Sequence, residues 1–333
     1  MTGPPLPHVW FERPVLPGLA RWIETSCRVL GPGTEVDRYA GIDRAVGAVV
    51  GASPYDGTVM DRAPNLRVIA RTGIGYDTVD VAAATVRGIA VCNTPDGPTI
   101  STAEHGVTLM LMVAKGVKAS EGALTTGASA GYYARHEGVE LAGKVLGLVG
   151  YGRIARRVAA IAEAIGMRIV VFDPYVDAAT VPQQVDRVGA LDDLLRVADV
   201  VSVHVPLTDG SRSMFGAAQF AAMKPGSVFI NTARGGLVDQ DALLAALDTG
   251  PLAGAGLDVT VPEPLPADHP LLGRDDVIVT PHIASATTDG KARILRAAVE
   301  QALAVIHGER PDHLVNPEVW DRVAAATAAG GDR

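Results

Sequence analysis

The sequence has 333 residues, more than one ordinary hydrophobic core accommodates, and it indicates about two domains. Hydrophobic residues make up 48% and charged residues 20% of the chain, which is the composition of a soluble globular protein. The formal net charge of -8 argues against nucleic acid or an anionic membrane surface as the main partner. A small anionic substrate is compatible with this charge, because a local cluster of arginines can oppose the overall sign.

The cysteines and the N-terminal segment indicate a compartment. Cys27 and Cys92 lie far apart and in no CxxC or metal-ligand spacing, so we expect reduced structural thiols, no metal site and a cytoplasmic protein. No segment reaches the roughly 18 consecutive apolar residues of a membrane span. The segment MTGPPLPHVWFERP has no basic region followed by an apolar one, so no signal peptide is expected.

Short apolar, β-branched segments alternate with polar turns and helical stretches. In chain order these segments are AVGAVVGA (45–52), LRVIART (66–72), GIAVCNT (88–94), VLGLVG (145–150), RIVVFD (168–173), DVVSVHV (199–205), SVFINTA (227–233), GAGLDV (254–259) and VIVTP (277–281). Nearly continuous apolar strands separated by helices predict parallel sheets that are covered by helices on both faces. The predicted fold class is α/β, with two doubly wound parallel-sheet domains.

The alternation is interrupted once, by a longer helical segment. Residues 101–118 predict one helix, with Ser101 and Glu104 as a capping box at its start. We interpret this helix as the crossover between the two domains. After VIVTP the chain becomes helical again without a further strand, so we expect it to pack against the first domain. The predicted domains are a substrate-binding domain formed by residues 1–103 and 287–333, and a dinucleotide-binding domain formed by residues 104–286.

The segment GLVGYGRIA carries the most informative spacing in the chain. Gly150, Gly152 and Ala155 follow a predicted strand and open a predicted helix, and Asp173 ends the next strand, 23 residues after Gly150. This context is the dinucleotide fingerprint, in which glycines allow the tight turn and the helix N-terminus attracts the pyrophosphate. Asp173 would accept hydrogen bonds from the ribose hydroxyls and repel a 2′-phosphate, so NAD is favoured over NADP. The alternative is a tight turn that binds no ligand.

Three reactive side chains follow strand ends in the same predicted domain, namely Arg234, Glu263 and His282. Taken singly, they could be a solvated arginine, a loop carboxylate and a histidine that caps a strand. Reduction of a 2-keto acid by NADH needs all three, because a guanidinium grips a carboxylate at two points, an imidazole donates a proton, and a nearby carboxylate stabilises the imidazolium. We therefore predict that these three residues are catalytic.

Several segments together resemble one enzyme family. They are RTGIGYDTVD, NTPDGPTISTAEH, GLVGYGRIA, HVPLT, MKPGSVFINTARGGLVD, GLDVTVPEP and TPHIASAT, and the similarity runs from about residue 45 to residue 317. The chain resembles the D-isomer-specific 2-hydroxyacid dehydrogenases, which include D-3-phosphoglycerate dehydrogenase, glycerate dehydrogenase and formate dehydrogenase. The resemblance implies a flavodoxin-like substrate domain, a Rossmann NAD-binding domain, and a cleft between them.

The resemblance also implies which residues bind cofactor and substrate. Asp258 is similar to the acidic residue near the nicotinamide carboxamide. The full set of expected cofactor-binding residues is Gly150, Tyr151, Gly152, Arg153, Ile154, Asp173, His204, Pro206, Thr232, Ala233, Asp258 and His282. The expected substrate-binding residues are Arg71, Thr72, Gly73, Ile74, Gly75, Arg234 and His282, with the backbone N–H groups of the 72–75 loop on the substrate carboxylate.

The chain departs from the family pattern near the expected substrate mouth and dimer contact. Thr78 stands where an asparagine is common, Lys115 or Lys118 replaces an arginine, and GASAGYY replaces a segment that usually contains tryptophan. These departures leave the identity of the substrate undetermined, but they do not affect the three predicted catalytic residues. The chain ends soon after LVNPEVWDRV, so we do not expect the regulatory domains of long phosphoglycerate dehydrogenases.

The predicted function is NAD-dependent oxidation or reduction of small, anionic D-2-hydroxy and 2-keto acids by a homodimer joined through the cofactor domain. A 3-phosphoglycerate-like substrate is favoured over the alternatives, because Arg71 resembles a residue of phosphoglycerate-type members and Arg87 could add a second positive charge. One alternative is a glyoxylate or hydroxypyruvate reductase, or a member acting on an inorganic (phosphite-type) or phosphonate substrate. An alternative of another class is a non-catalytic NAD-sensing protein of the corepressor type.

Overall fold

The computed structural model describes residues 5–330, including the side chains of residues 5–325. Two compact units are formed, one by the chain up to Pro98 together with the chain from Thr288 onward, and the other by Thr99–Thr287. They are called the first unit and the second unit below. Within the described residues, none of the helices combines the length and the apolar character needed to cross a bilayer.

The strands and helices of the described residues alternate along most of the chain. The strands are β1 (His8–Phe11), β2 (Arg28–Leu30), β3 (Gly47–Val50), β4 (Val68–Arg71), β5 (Ala90–Cys92), β6 (Val145–Val149), β7 (Arg168–Phe172), β8 (Asp186–Arg187), β9 (Val200–Val203), β10 (Ser227–Asn231), β11 (Leu252–Leu257) and β12 (Val277–Val279). The α-helices are α1 (Pro17–Ser26), α2 (Gly57–Asp61), α3 (Val81–Arg87), α4 (Thr99–Ala114), α5 (Val117–Thr125), α6 (Tyr132–Arg135), α7 (Arg153–Ala164), α8 (Leu191–Val197), α9 (Ala217–Ala221), α10 (Gln240–Asp248), α11 (Thr288–Ile306) and α12 (Trp320–Gly330).

The sheet of the first unit has the strand order β2-β1-β3-β4-β5, and its paired strands are parallel. This is the flavodoxin-like order, with a switch point between β1 and β3. Strand β3 (GAVV) is buried along its whole length, as expected for a central strand with helices on both faces. Helix α11 packs on this sheet, where Ala298 and Ala302 share a buried cluster with Val49 and Val68.

The sheet of the second unit has seven parallel strands in the order β12-β11-β10-β9-β6-β7-β8. Counted from β6, the first six strands in sequence follow the Rossmann order, and β12 extends the edge beside β11. The order reverses between β6 and β9, so ligands are expected outside the carboxyl ends of these strands. The prediction of two doubly wound parallel sheets, one flavodoxin-like and one Rossmann, is confirmed.

All nine predicted strands are present, but three further strands were missed. Strand β1 lies inside the first sheet between β2 and β3, although Glu12 and Arg13 follow its short apolar run directly. Strand β2 has three residues, and β8, at the sheet edge, has two exposed residues. Strands this short carry too few alternating or apolar positions to be recognised from periodicity.

The single helix predicted from residues 101 to 118 was wrong at both ends. Helix α4 starts earlier, at Thr99, so Ser101 lies inside it and cannot cap it; the Ser101 hydroxyl instead lies 2.8 Å from the hydroxyl of Thr287. The helix stops at Ala114 because Gly116 takes a left-handed φ of 56°, and α5 follows. The predicted domain boundary after residue 103 would cut through α4, whereas the unit boundary lies at Pro98, before that helix.

Candidate active site

The glycine loop of the second unit begins at the carboxyl end of β6. Gly150 has a left-handed φ of 89°, and a Cβ added to it would lie 2.8 Å from the carbonyl oxygen of His204, so no larger residue fits. Gly152 precedes the first turn of α7, and a Cβ there would face open space. Ala155 is fully buried where this helix lies against the sheet. The loop therefore has the tight turn, exposed helix start and close helix packing that bound pyrophosphate requires.

The carboxylate of Asp173 ties two turns together at the end of β7. Its Oδ2 accepts a hydrogen bond of 2.8 Å from the amide of Tyr151, and its Oδ1 accepts one of 2.9 Å from the amide of Tyr175. Among the described residues no Lys or Arg forms an ion pair with it. The amide of Val176 also donates to Oδ1, at 3.2 Å, so of the about four acceptor sites of the carboxylate one, on Oδ2, is left for a ribose hydroxyl. The residues present fit an NAD adenosine better than one carrying a 2′-phosphate.

His204 and Pro206 follow β9, on the other side of the switch point. The Nε2 atom of His204 lies 2.9 Å from the hydroxyl of Ser202, and burial lowers the pKa of His204 to about 4. The imidazole is therefore neutral at physiological pH and forms part of the wall beside Gly150. Of the other predicted cofactor residues, Arg153 and Ile154 begin α7, and Tyr151 is buried with the guanidinium of Arg156 over its ring.

The turn after β10 is shaped by a fully buried amide. Asn231 donates from Nδ2 to the carbonyl oxygen of Arg234 at 2.8 Å and accepts from the amide of Ala233 at 3.0 Å. Arg234 is extended, and its Nη1 donates to the carbonyl oxygen of Ala233 at 2.7 Å. Gly235 follows with its Cα directly against the backbone of Thr260, which leaves no room for a Cβ.

Thr232 lies inside the same turn and has an unusual hydroxyl group. The side chain is buried, and its Oγ1 has no hydrogen-bond partner among the described residues. A buried hydroxyl without a partner costs about 1–3 kcal/mol, which a ligand that supplies the partner would recover. This atom is the strongest single indication that a polar ligand completes the end of β10.

Glu263 and His282 form a direct pair. The Nδ1 atom of His282 lies 2.5 Å from Oε1 of Glu263, and the two side chains are 37% and 38% exposed. His282 takes a left-handed φ of 52°, uncommon for a residue with a side chain, and its amide donates to the carbonyl oxygens of Asp258 and Thr280. Because Nδ1 faces the carboxylate, Nε2 is the atom left to meet a substrate.

The left-handed turn at His282 is held from below by Asp258, which is 1% exposed. Its Oδ1 accepts from the amide of Ile283 at 2.9 Å and from the hydroxyl of Thr280 at 2.6 Å, and its Oδ2 accepts from the amide of Ala284 at 2.8 Å. Burial would raise the pKa of Asp258, but these hydrogen bonds, with one from His105, outweigh it and lower that pKa below its ordinary value. Asp258 is therefore ionised.

His105 of α4 completes this network and was missed as a functional residue. Its Nε2 lies 2.9 Å from the hydroxyl of Thr280 and 3.5 Å from Oδ1 of Asp258. Because the Thr280 hydroxyl donates its one proton to Asp258, the hydrogen between His105 and Thr280 must be on Nε2 of His105. The only signal for His105 in the sequence was its position at the end of the family-like segment STAEH, and that position alone assigns it no role.

The predicted substrate loop of the first unit follows β4. The amide of Thr72 donates to the carbonyl oxygen of Val50, and the amide of Gly73 donates to Oγ1 of Thr94. Among the described residues, the amides of Ile74 and Gly75 have no acceptor. Only these two of the four N–H groups are therefore available to an anion.

The two arginines proposed for a distal phosphate are differently placed. Nη1 of Arg71 donates to the carbonyl oxygen of Thr72, so the guanidinium folds back against its own loop. Arg87 is paired with Asp61 at 2.8 Å at the end of α3, before β5 begins. Because β5 starts there, Arg87 lies at the amino edge of the sheet, and its assignment as a second substrate charge was wrong.

Comparison with known proteins identifies the family. Residues 107–284 match the family described as D-isomer specific 2-hydroxyacid dehydrogenase, NAD binding domain. The chain is 40% identical over 268 residues to a glyoxylate reductase of Korarchaeum cryptofilum, covering 80% of this chain and 81% of that protein. It is 37% identical over 284 residues to a D-3-phosphoglycerate dehydrogenase of Archaeoglobus fulgidus, covering 85% of this chain and 52% of that protein. The chain thus spans about half the length of the phosphoglycerate dehydrogenases that it matches.

Solved structures agree with this result. The TT0316 protein of Thermus thermophilus is 38% identical with a TM-score of 0.79, over 92% of this chain and 99% of that one. The D-mandelate dehydrogenase of Rhodotorula graminis is 28% identical with a TM-score of 0.84, over 93% and 98% of the two chains. A dinucleotide-binding α/β protein is the class that the fold and glycine loop define. The chain belongs to the D-isomer-specific 2-hydroxyacid dehydrogenase family, and its second unit is the NAD-binding domain.

Proposed function

We propose that the protein is an NAD-dependent oxidoreductase that interconverts small D-2-hydroxy acids and 2-keto acids. The observation that carries this proposal is the 2.5 Å contact between His282 Nδ1 and Glu263 Oε1, in the same unit as the Gly150 loop. A paired imidazole next to a dinucleotide site is suited to moving a proton, whereas simple cofactor binding does not need one.

The proton is handled by His282 and Glu263. When bound, the nicotinamide supplies or accepts a hydride at the C2 carbon of the substrate. In reduction, Nε2 of protonated His282 gives its proton to the carbonyl oxygen, and in oxidation the neutral ring takes the proton of the hydroxyl group. Glu263 holds the ring by Nδ1–H and stabilises the imidazolium form by its negative charge. Asp258 and His105 support this step indirectly, because they hold the turn in which His282 lies.

The substrate carboxylate is assigned to Arg234 of the second unit. The planar guanidinium of Arg234 is suited to a two-point grip on a carboxylate. In the first unit, the amides of Ile74 and Gly75 are the free donors, so we assign the anion-binding role of the 72–75 loop to these two. Thr72 and Gly73 contribute through the shape of the loop, and Arg71 stiffens it from the side.

Two substrate assignments compete. Relatives named D-3-phosphoglycerate dehydrogenase support a phosphorylated substrate, with Arg71 near its distal group, but the chain spans about half of their length. Relatives named glyoxylate reductase match over 79–81% of their length and support a short 2-keto acid. The alternative of an NAD-sensing protein is disfavoured, because sensing needs no arginine clamp and no proton donor.

A homodimer in the cytoplasm is proposed from surface and thiol chemistry. Around α5 and α6 the apolar side chains of Leu124 and Tyr133 are 70% and 98% exposed, and such residues are commonly covered by a second copy. Both cysteines are free and buried, and burial raises the pKa of Cys27 to about 11 and that of Cys92 to about 12, so both thiols stay protonated at neutral pH. Light scattering on a sizing column tests the dimer, and Tyr133→Glu should shift it toward monomer.

The proposed activity is tested by following NADH absorbance with a panel of 2-keto acids. Wild-type protein should oxidise NADH with at least one short 2-keto acid, and His282→Asn should abolish this without loss of NADH binding. A wild-type protein that binds NADH but turns over no keto acid, and no D-2-hydroxy acid with NAD, would instead support the sensing alternative.

A further inference from the structure

Glu12, directly after β1, places its carboxylate in a ring of hydrogen-bond donors. Oε2 accepts from the amide of Gly51, and Oε1 accepts from the amide of Ser53 at 3.1 Å and from its hydroxyl at 2.9 Å. The hydroxyl of Tyr55 lies 3.5 Å from Oε2. Burial, followed by the charge of Glu12, raises the pKa of Tyr55 above its ordinary value, so this hydroxyl keeps its proton and can donate.

This arrangement has the form of an anion-binding nest that the chain fills with its own carboxylate. Backbone N–H groups that converge on one point, here those of Gly51 and Ser53, together with hydroxyl donors, are the usual surroundings of a bound phosphate or carboxylate. The arrangement needs a glycine at position 51, because a Cβ there would lie 3.0 Å from Oε1 of Glu12. Any second anion arriving here would find the donors occupied and a like charge in place.

The nest lies beside the predicted substrate loop, within the first unit. Strand β3 pairs with β4 so that Val50 is opposite Arg71, and the amide of Thr72 donates to the carbonyl oxygen of Val50 at 2.8 Å. Gly51 and Thr72 are therefore neighbours across one strand spacing, about 4.8 Å. The free amides of Ile74 and Gly75 follow in the same loop.

Two arginines of the first unit bear on the charge around this loop. Arg71 directs Nη1 to the carbonyl oxygen of Thr72, and Arg87 is engaged with Asp61 at the other edge of the sheet. The hydrogen bond to a neutral carbonyl leaves the charge of Arg71 in place but directs its guanidinium to its own loop, whereas the carboxylate of Glu12 fills the donors of the 51–55 segment.

We propose that Glu12 is a specificity-determining residue that excludes 2-keto acids bearing an anionic distal group. The inference rests on the proposed function and deepens it: the substrates are short 2-keto acids whose distal group is a hydrogen or a neutral hydroxymethyl, and phosphorylated acids are rejected by charge. The carboxylate of Glu12 occupies the donors that a distal phosphate or carboxylate would need.

The test compares two probes that differ by one phosphate, hydroxypyruvate and phosphohydroxypyruvate, with NADH as the reductant. Wild type should prefer hydroxypyruvate in kcat/KM by at least about tenfold, mainly through KM. Glu12→Gln keeps the shape of the side chain but removes its charge, and should remove most of this preference. Glu24→Gln, on the exposed face of α1, is the matched control and should leave the preference unchanged.

The outcomes separate the two proposals. If wild type has an equal or lower KM for phosphohydroxypyruvate, the inference is overturned without recourse to any variant. If wild type shows the preference but Glu12→Gln, shown by urea unfolding to be folded, keeps it unchanged, Glu12 merely caps the loop and the inference is likewise overturned. Turnover of no 2-keto acid at all would refute the proposed function itself, and this inference with it.

Discussion

The amide nitrogen of His282 donates a hydrogen bond of 2.9 Å to the carbonyl oxygen of Asp258, and the buried side chain of Asp258 binds the next two amides, of Ile283 and Ala284. One aspartate thus fixes the left-handed turn from which the imidazole reaches Glu263. The buried carboxylate of Asp258 thus holds the His282 turn in place and is itself shielded from solvent.

Asp258→Asn should destabilise the protein by about 2–4 kcal/mol in free energy of unfolding, because it replaces a buried anion that accepts several hydrogen bonds. Urea unfolding with Asp275→Asn as the control measures this, since Asp275 is exposed and makes no side-chain hydrogen bond among the described residues. The folded-state pKa of Asp258 is lowered, so its stabilisation is complete above an unfolded-state pKa of about 3.9 and disappears as the pH falls through the folded value. A difference between the variants that persists in strong acid would contradict this account.

Arg234→Ala should lower kcat/KM for every 2-keto acid by the equivalent of about 3–5 kcal/mol, because a two-point charge clamp is lost. Arg234→Lys keeps the charge without the planar fork and should fall between wild type and Arg234→Ala. Steady-state kinetics with Arg212→Ala as an exposed control measures both. Full activity of Arg234→Ala on glyoxylate would remove this residue from the site.

Glu263→Gln should lower kcat by about 10²- to 10⁴-fold, the usual contribution of a general acid or base, because the imidazolium of His282 loses its anionic partner. The glutamine can still accept from Nδ1–H, so the ring orientation is preserved and NADH affinity should change less than twofold. Glu309→Gln, an exposed residue of the first unit that belongs to none of the predicted site residues, is the control. An unchanged kcat would show that the 2.5 Å pair is structural.

Asp173→Ala should reduce the preference for NADH over NADPH by about tenfold or more, because a charge-assisted hydrogen bond to ribose, worth about 1.5–3 kcal/mol, is lost together with the repulsion of the 2′-phosphate. Asp177→Ala is the matched control, since Asp177 also accepts from a local amide, that of Ala179. Comparable use of both cofactors by wild type would contradict the assignment of Asp173.

His204 should make wild type sensitive to mild acid. Its folded-state pKa is lowered from 6.5 to about 4, so its neutral form costs nothing above pH 6.5, and stability is lost as the pH falls from there toward 4. The loss attributable to His204 should reach roughly 3 kcal/mol at most, at about 1.36 kcal/mol per pKa unit. His204→Gln keeps a polar partner for Ser202 and should lack this component in thermal unfolding between these pH values. Parallel curves for the two proteins would mean that the ring titrates normally.

Much of the fold could be predicted because most of its strands lie in apolar, β-branched segments that alternate with helices. Strand β1, although as long as β3 and β4, could not, because charged residues follow its apolar run at once. The break after α4 escaped prediction because Gly116 sits in a segment whose periodicity continues on both sides.

The chemical residues of the candidate site are visible in sequence, whereas their supports are not. Arg234, Glu263 and His282 stand at strand ends, where their chemistry is out of place in a core. The contact between His105 and Asp258 joins residues that are separated along the chain by more than half the length of the second unit, so no local sequence pattern predicts it. The role of Glu12 could not be predicted from the sequence either, because it depends on which backbone amides of residues 51–55 point toward its carboxylate.

The most direct test of the central claim is the rate of NADH oxidation by wild type and His282→Asn with glyoxylate and hydroxypyruvate, with NADH binding followed in parallel by fluorescence. The account predicts turnover of at least one of these acids by wild type, and a loss of about 10²-fold or more in kcat with intact NADH binding in His282→Asn. Equal rates for the two proteins, or NADH binding by wild type without any turnover, would contradict the claim that the Glu263–His282 pair transfers the proton.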